Sequence, residues 1–188
     1  MFNTRNDERR TAHEPRSVRQ LARHYLRDLV YGANDGVLTT FAVVAGVTGG
    51  ALSTRAILIV GMANLVADGL SMGVGNYLGI RSQESARRAQ HLVEEEPFPV
   101  RHGLATFLAF AGAGAIPLLP YVVTGLSSRP FILSMLLAFV TLFGVGAARA
   151  AVTADRWWSA GIEMLGLGVL VMTVAYASGM FTAAVLAE

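Results

Sequence analysis

Cysteine and lysine are both absent from the 188 residues. Without cysteine there is no disulfide, no thiolate metal site and no cysteine nucleophile. Charge is scarce too. Only 15% of the residues are charged, where a soluble domain carries about 25%. The fifteen Lys+Arg positions are all arginine and the formal net charge is +2. A nucleic-acid binder gathers its basic residues on one soluble face. Here the arginines flank apolar blocks, which suits lipid head groups and excludes nucleic acid as the expected partner. Arginine without lysine fits a GC-rich bacterial genome, and so a bacterial inner (plasma) membrane. No G-x-S-x-G, P-loop or H-E-x-x-H motif is present, so no enzyme and no cofactor is expected.

What is abundant is hydrophobicity, at 53% of the residues. Residues 1–16 are polar and arginine-rich, and the expectation there is a disordered tail. Over residues 17–28 the pattern changes. Val18, Leu21, Ala22, Tyr25, Leu26 and Leu29 fall at helical spacing, with Arg16, Arg19, Arg23 and Arg27 on another face. Ser17 and Gln20 have the spacing of a capping box. This predicts an amphipathic helix lying on anionic head groups. The alternative is a solvated leader with fortuitous periodicity.

Five apolar blocks follow, at about 29–51, 56–80, 104–126, 130–151 and 159–186. Each reaches the ~20 residues needed to cross ~30 Å of hydrocarbon. The fold class is therefore an all-α integral membrane protein with five transmembrane helices. The first block starts too late, and contains Asp35, to be a signal peptide. Thirteen arginines precede the first span or lie around the second and fourth loops; Arg55 and Arg129 alone lie in the other two loops. The positive-inside rule then places the N-terminus in the cytoplasm and the C-terminus outside, with Trp157 and Trp158 at the cytoplasmic interface. Glycines four apart (Gly32/Gly36, Gly46/Gly50, Gly69/Gly73 and Gly75/Gly79) allow close helix packing or a homodimer. Pro117 and Pro120 predict a kink in the third span, whose freed carbonyls need other partners.

An ionisable group in mid-membrane costs about 3 kcal/mol on insertion scales. Asp35, Asp68 and Glu163 fall within spans, and Arg149 near the end of one. Tyr31, Asp35 and Thr39 share one face of the first span, with Asn34 adjacent; Asn64, Asp68 and Met72 share one face of the second, near Ser71 and Asn76. Each step of four drifts only ~40° around a helix. Two facing stripes of this kind would line a hydrophilic path. Their carboxylates and carbonyls suit ions such as manganese or ferrous iron, and a thioether adds softness against magnesium and calcium. A carboxylate in a low dielectric keeps its proton more readily, so it can hold a proton and a metal in turn. The alternative is that the polar groups only bond helix to helix, and that Met72 is a core methionine. Glu163, four residues after Ser159, is either functional or solvated near the surface.

The connector 81–103 carries Glu84, His91, Glu94, Glu95 and Glu96. They are either a cation-gathering mouth or a solvated helix with arginine–glutamate pairs.

Four stretches, DLVYGANDGVLTTFAVVAGV, ANLVADGLSMGVGNYLGIRSQ, EEPFPVRHGLATFLAFAGAGAIPLLPY and SAGIEMLGLGVLVMTVAYASG, together resemble the vacuolar iron transporter family over residues 28 to about 180. The resemblance implies a homodimer whose interface pathway is lined by the first two helices. It implies export of ferrous iron or manganese from the cytosol in exchange for protons. It assigns the pathway to the aspartate of the DG motif, Asp35, and the methionine of SMG, Met72. Plant members carry a glutamate eight residues before that methionine; here Asn64 stands there, and Asp68, one turn on, is placed to supply the carboxylate. Vacuolar members insert a glutamate-rich cytoplasmic domain between spans two and three. This chain has the short connector, with Glu84 and Glu94 to Glu96 as remnants and candidate metal ligands. The rival functions are a channel or exporter not coupled to protons, and a membrane scaffold that transports nothing.

Overall fold

A computed structural model describes residues 18–93, 95–123, 129–150, 153 and 156–187, with side chains from residue 24 onward. The expected tail over 1–16, the Ser17 cap and Glu94 lie outside the described residues. Among the described residues every regular element is helical. Helix α1 spans Val18–Gly49, α2 spans Thr54–Ala89 and α3 spans Pro99–Ala115. A single 3₁₀ turn, Ile116–Leu118, joins α3 to the short α4, Leu119–Val122. Helices α5, Pro130–Ala150, and α6, Trp157–Leu186, complete the chain. Five helical stretches are long and apolar enough to cross a membrane, the third being α3 with its continuation through Val122.

Two boundaries differ from the sequence expectation. The amphipathic segment is not separated from the first span: α1 runs through both without a break. Helix α2 continues beyond its apolar block to Ala89, nine residues past position 80. Both extensions add polar turns at the same end of the bundle, where the connector joins α2 to α3.

The ends of α2 have local causes. Ser53 Oγ accepts from the Ala56 N–H at its start. At its finish His91 adopts φ 58°, a left-handed conformation, and the Leu92 N–H returns to the Arg87 carbonyl. Helix α3 opens with Pro99, whose missing N–H is no loss in a first turn. The kink expected at Pro117 is present as the 3₁₀ turn, and Ser134 Oγ on α5 donates to the Pro117 carbonyl at 2.7 Å.

Helix α1 is the centre of the bundle and packs against α2, α3, α5 and α6. Val37, Phe41 and Val44 on α1 are fully buried with Leu118 and Leu142. The Phe41 ring meets Phe139 edge-on, with centroids 6.0 Å apart. Close backbone approach fixes the α1–α3 crossing: a Cβ on Gly36 would run into the Phe110 carbonyl. Gly73 on α2 crosses Gly103 on α3 in the same way. The Gly75/Gly79 pair takes no part in packing within the chain, since a Cβ at either position meets nothing within 4 Å. Much of the remaining surface is leucine, valine and isoleucine, as hydrocarbon requires.

Candidate functional site

The buried stripe of α2 is Ile57, Gly61, Leu65, Gly69 and Gly73. Asn64, Asp68 and Met72 sit one residue before members of that stripe, so they run along its edge and are half-buried. Asp35 on α1 is half-buried as well. Its carboxylate and that of Asp68 are close enough for their charges to act on each other. The sequence-predicted stripes of α1 and α2 therefore meet.

Among the described residues neither carboxylate has a hydrogen-bonding or ion-pairing partner. Two neighbouring carboxamides are unsatisfied too: Asn34 Oδ1 and Asn64 Nδ2 are buried without a partner. A buried polar atom left unpaired costs about 1–3 kcal/mol. The Asn34 Oδ1 and the two carboxylates, with the Met72 thioether one turn beyond Asp68, form an oxygen-rich donor set with one soft atom. That set fits a divalent transition ion.

Other members of the stripes are engaged elsewhere. Thr39 Oγ1 donates to the Asp35 carbonyl of its own helix at 2.8 Å, and Tyr31 points outward, 62% exposed. Asn76 does not continue the open stripe. Its Nδ2 donates to Asp28 Oδ1 at 2.8 Å and to Thr106 Oγ1 at 2.7 Å.

The described connector glutamates have separate partners. Glu84 is 2% exposed, and its carboxylate accepts from the Glu95 and Glu96 N–H groups at 3.0–3.3 Å. It shapes the chain reversal between α2 and α3. Glu95 pairs with Arg87 at 2.8 Å. Glu163 pairs with Arg149 at 2.7 Å, joining α6 to α5 at the bundle end.

A second polar cluster is one that sequence reasoning missed. Asp28 and His102 are both buried, and His102 Nδ1 lies 2.5 Å from Asp28 Oδ2. His102 Nε2 lies 2.9 Å from Glu96 Oε2, and His24 Nε2 lies 3.1 Å from the same oxygen. This cluster joins α1, the connector and α3. Its one sequence signal was His24 and Asp28, four apart on α1, on the face that carries Asp35 seven residues further on.

A profile of the VIT family matches residues 26–98 and 90–180 of the chain. Vacuolar iron transporter homolog 1 of Oryza sativa is 31% identical over 81% of this chain and 71% of its own length. The vacuolar iron transporter of Toxoplasma gondii is 25% identical over 82% of this chain and 73% of its own. Vacuolar iron transporter 1 of Arabidopsis thaliana is 24% identical over 80% and 83% respectively.

Proposed function

The chain belongs to the VIT family, and from that premise we propose that it moves ferrous iron or manganese out of the cytosol across a membrane in exchange for protons. The observation that carries this reading is the pair Asp35 and Asp68. Both lie midway along membrane-length helices, and both lack partners among the described residues. A carboxylate without a partner at that depth is costly. It is tolerated where a cation or a proton occupies it for part of a cycle. Asp35, Asp68, Asn64 and Met72 form the transit site, with oxygens binding the ion and the thioether favouring a transition metal over magnesium or calcium.

The site is half-open on a single chain, which supports a homodimer. A polar stripe facing lipid would be disfavoured, whereas two stripes facing each other would enclose a hydrophilic path. Alternation between metal and proton follows from the same carboxylates. A divalent ion displaces the proton, and the proton returns when the ion leaves.

The test is ferrous iron and manganese uptake into proteoliposomes of the purified protein, with the arginine-rich face outward. Uptake should strengthen when the lumen is acidic, with protons leaving as metal enters. Asp35→Ala should abolish uptake while the protein still assembles. An Asp35→Ala protein that transports at the parent rate would remove the site assignment. Uptake indifferent to the pH gradient would remove the exchange mechanism and leave a channel.

A further inference from the structure

The cluster at the connector end goes beyond that reading and does not depend on it. We propose that His24, Glu96 and His102 form a second metal site, which takes a divalent first-row transition ion of the imidazole-preferring kind, such as zinc, cobalt or ferrous iron. The argument starts with His102. Its Nδ1 lies 2.5 Å from Asp28 Oδ2 and its Nε2 lies 2.9 Å from Glu96 Oε2. When Nδ1 carries the proton toward Asp28, the neutral ring presents an Nε2 lone pair to a carboxylate oxygen. Two acceptors then face each other, and a cation, either a second proton or a metal ion, belongs between them. His24 Nε2, 3.1 Å from the same oxygen, brings a second imidazole to that point.

The dimensions fit an ion. The three ligand atoms lie within 4.8 Å of one another. Metal bonds of about 2.1 Å to nitrogen and oxygen place tetrahedral ligands about 3.4 Å apart. The two contacts through Glu96 are already near that spacing. Only the two imidazoles must close by more than a few tenths of an ångström. His24 has the freedom to do so, its side chain being 27% exposed.

The surroundings are those of a built site. A carboxylate behind a ligating histidine fixes the tautomer and raises its basicity; Asp28 stands there, 5% exposed at its side chain. Asp28 is itself held by Asn76, and Asn76 by Thr106. The exposed flanks of His24 and Glu96 leave an approach for the ion and room for a water as fourth ligand. Two imidazoles and one carboxylate differ from the oxygen and thioether set around Asp35. The two sites are ~16 Å apart along α1, from eleven residues at 1.5 Å each. A bound ion would also pin the connector to α1 and α3 at once.

The experiment is cobalt(II) titration of the purified, metal-stripped full chain, read by visible absorption of the bound ion. It is done in the parent and in Asp35→Ala, which removes the mid-span site from the count. One cobalt per chain with the absorption of a low-coordinate, nitrogen-ligated ion is expected in both. His24→Ala and Glu96→Gln should each weaken it at least ~10-fold. Both positions are partly exposed, and elution volume and circular dichroism establish that these variants fold. A spectrum unchanged by His24→Ala and Glu96→Gln would overturn the site. So would a folded parent that takes up no low-coordinate cobalt, which would leave an imidazolium shared by two carboxylates. Failure of transport in the vesicle assay would not alter any of these readings.

Discussion

At the connector end of α1, Asp28 meets the carboxamide of Asn76 and the imidazole of His102. Two turns further on, Asp35 meets no such partner among the described residues. The two carboxylates stand on one helix and nearly one face, seven residues apart. Removal from water penalises each of them. At Asp28 the protein itself offsets that penalty with fixed bonds, so the residue holds three helices in place. At Asp35 no described residue offsets it. That difference in partners is why Asp28 is read as a group that builds the fold and Asp35 is proposed as a transit site.

Substitutions can break that contrast. The largest stability effect is expected for Asp28→Ala, which leaves the buried His102 Nδ1 without its carboxylate and takes one acceptor from Asn76. Removing one partner of a buried charged pair costs about 3–5 kcal/mol, and thermal unfolding of the purified protein would read it. Glu84→Gln should follow, with a loss of about 1–2 kcal/mol, because an amide replaces one of the oxygens that accept from the Glu95 and Glu96 N–H groups. The same unfolding assay applies, and limited proteolysis should nick the connector sooner. His91→Gly should act in the opposite direction, raising stability by about 1 kcal/mol, since glycine adopts φ 58° without the Cβ penalty. Asp35→Ala should not destabilise the fold at all, since it removes a mid-span carboxylate that no described residue compensates, despite its loss of transport. An unfolding shift for Asp35→Ala as large as that for Asp28→Ala would erase the distinction between the two clusters.

These differences also explain what the sequence could reveal. Membrane spans announce themselves because ~20 apolar residues have few other uses. The stripe of Asn64, Asp68 and Met72 follows from a period of four, which is local. The kink at Pro117 is local too; its acceptor's partner, Ser134, is not. Asp28 and His102 are 74 residues apart, and no periodicity relates them. Asp28 falls at the edge of the segment expected to be an interfacial helix, and nothing nearby in the chain shows that α3 brings an imidazole against it. The connector glutamates are the converse case. Their clustering is visible, but which N–H groups Glu84 meets depends on how the chain turns after His91.

Helix α1 runs from Val18 to Gly49 without interruption, and His24, Asp28 and Asp35 all ride on it. Mechanically it is a tie rod. Its flank lies close against α3 where Gly36 meets the Phe110 carbonyl, so the two helices shift together there. A shift imposed at one end cannot be absorbed by a hinge along the way. It arrives two turns later as an equal displacement of Asp35, so the two ends keep a common clock.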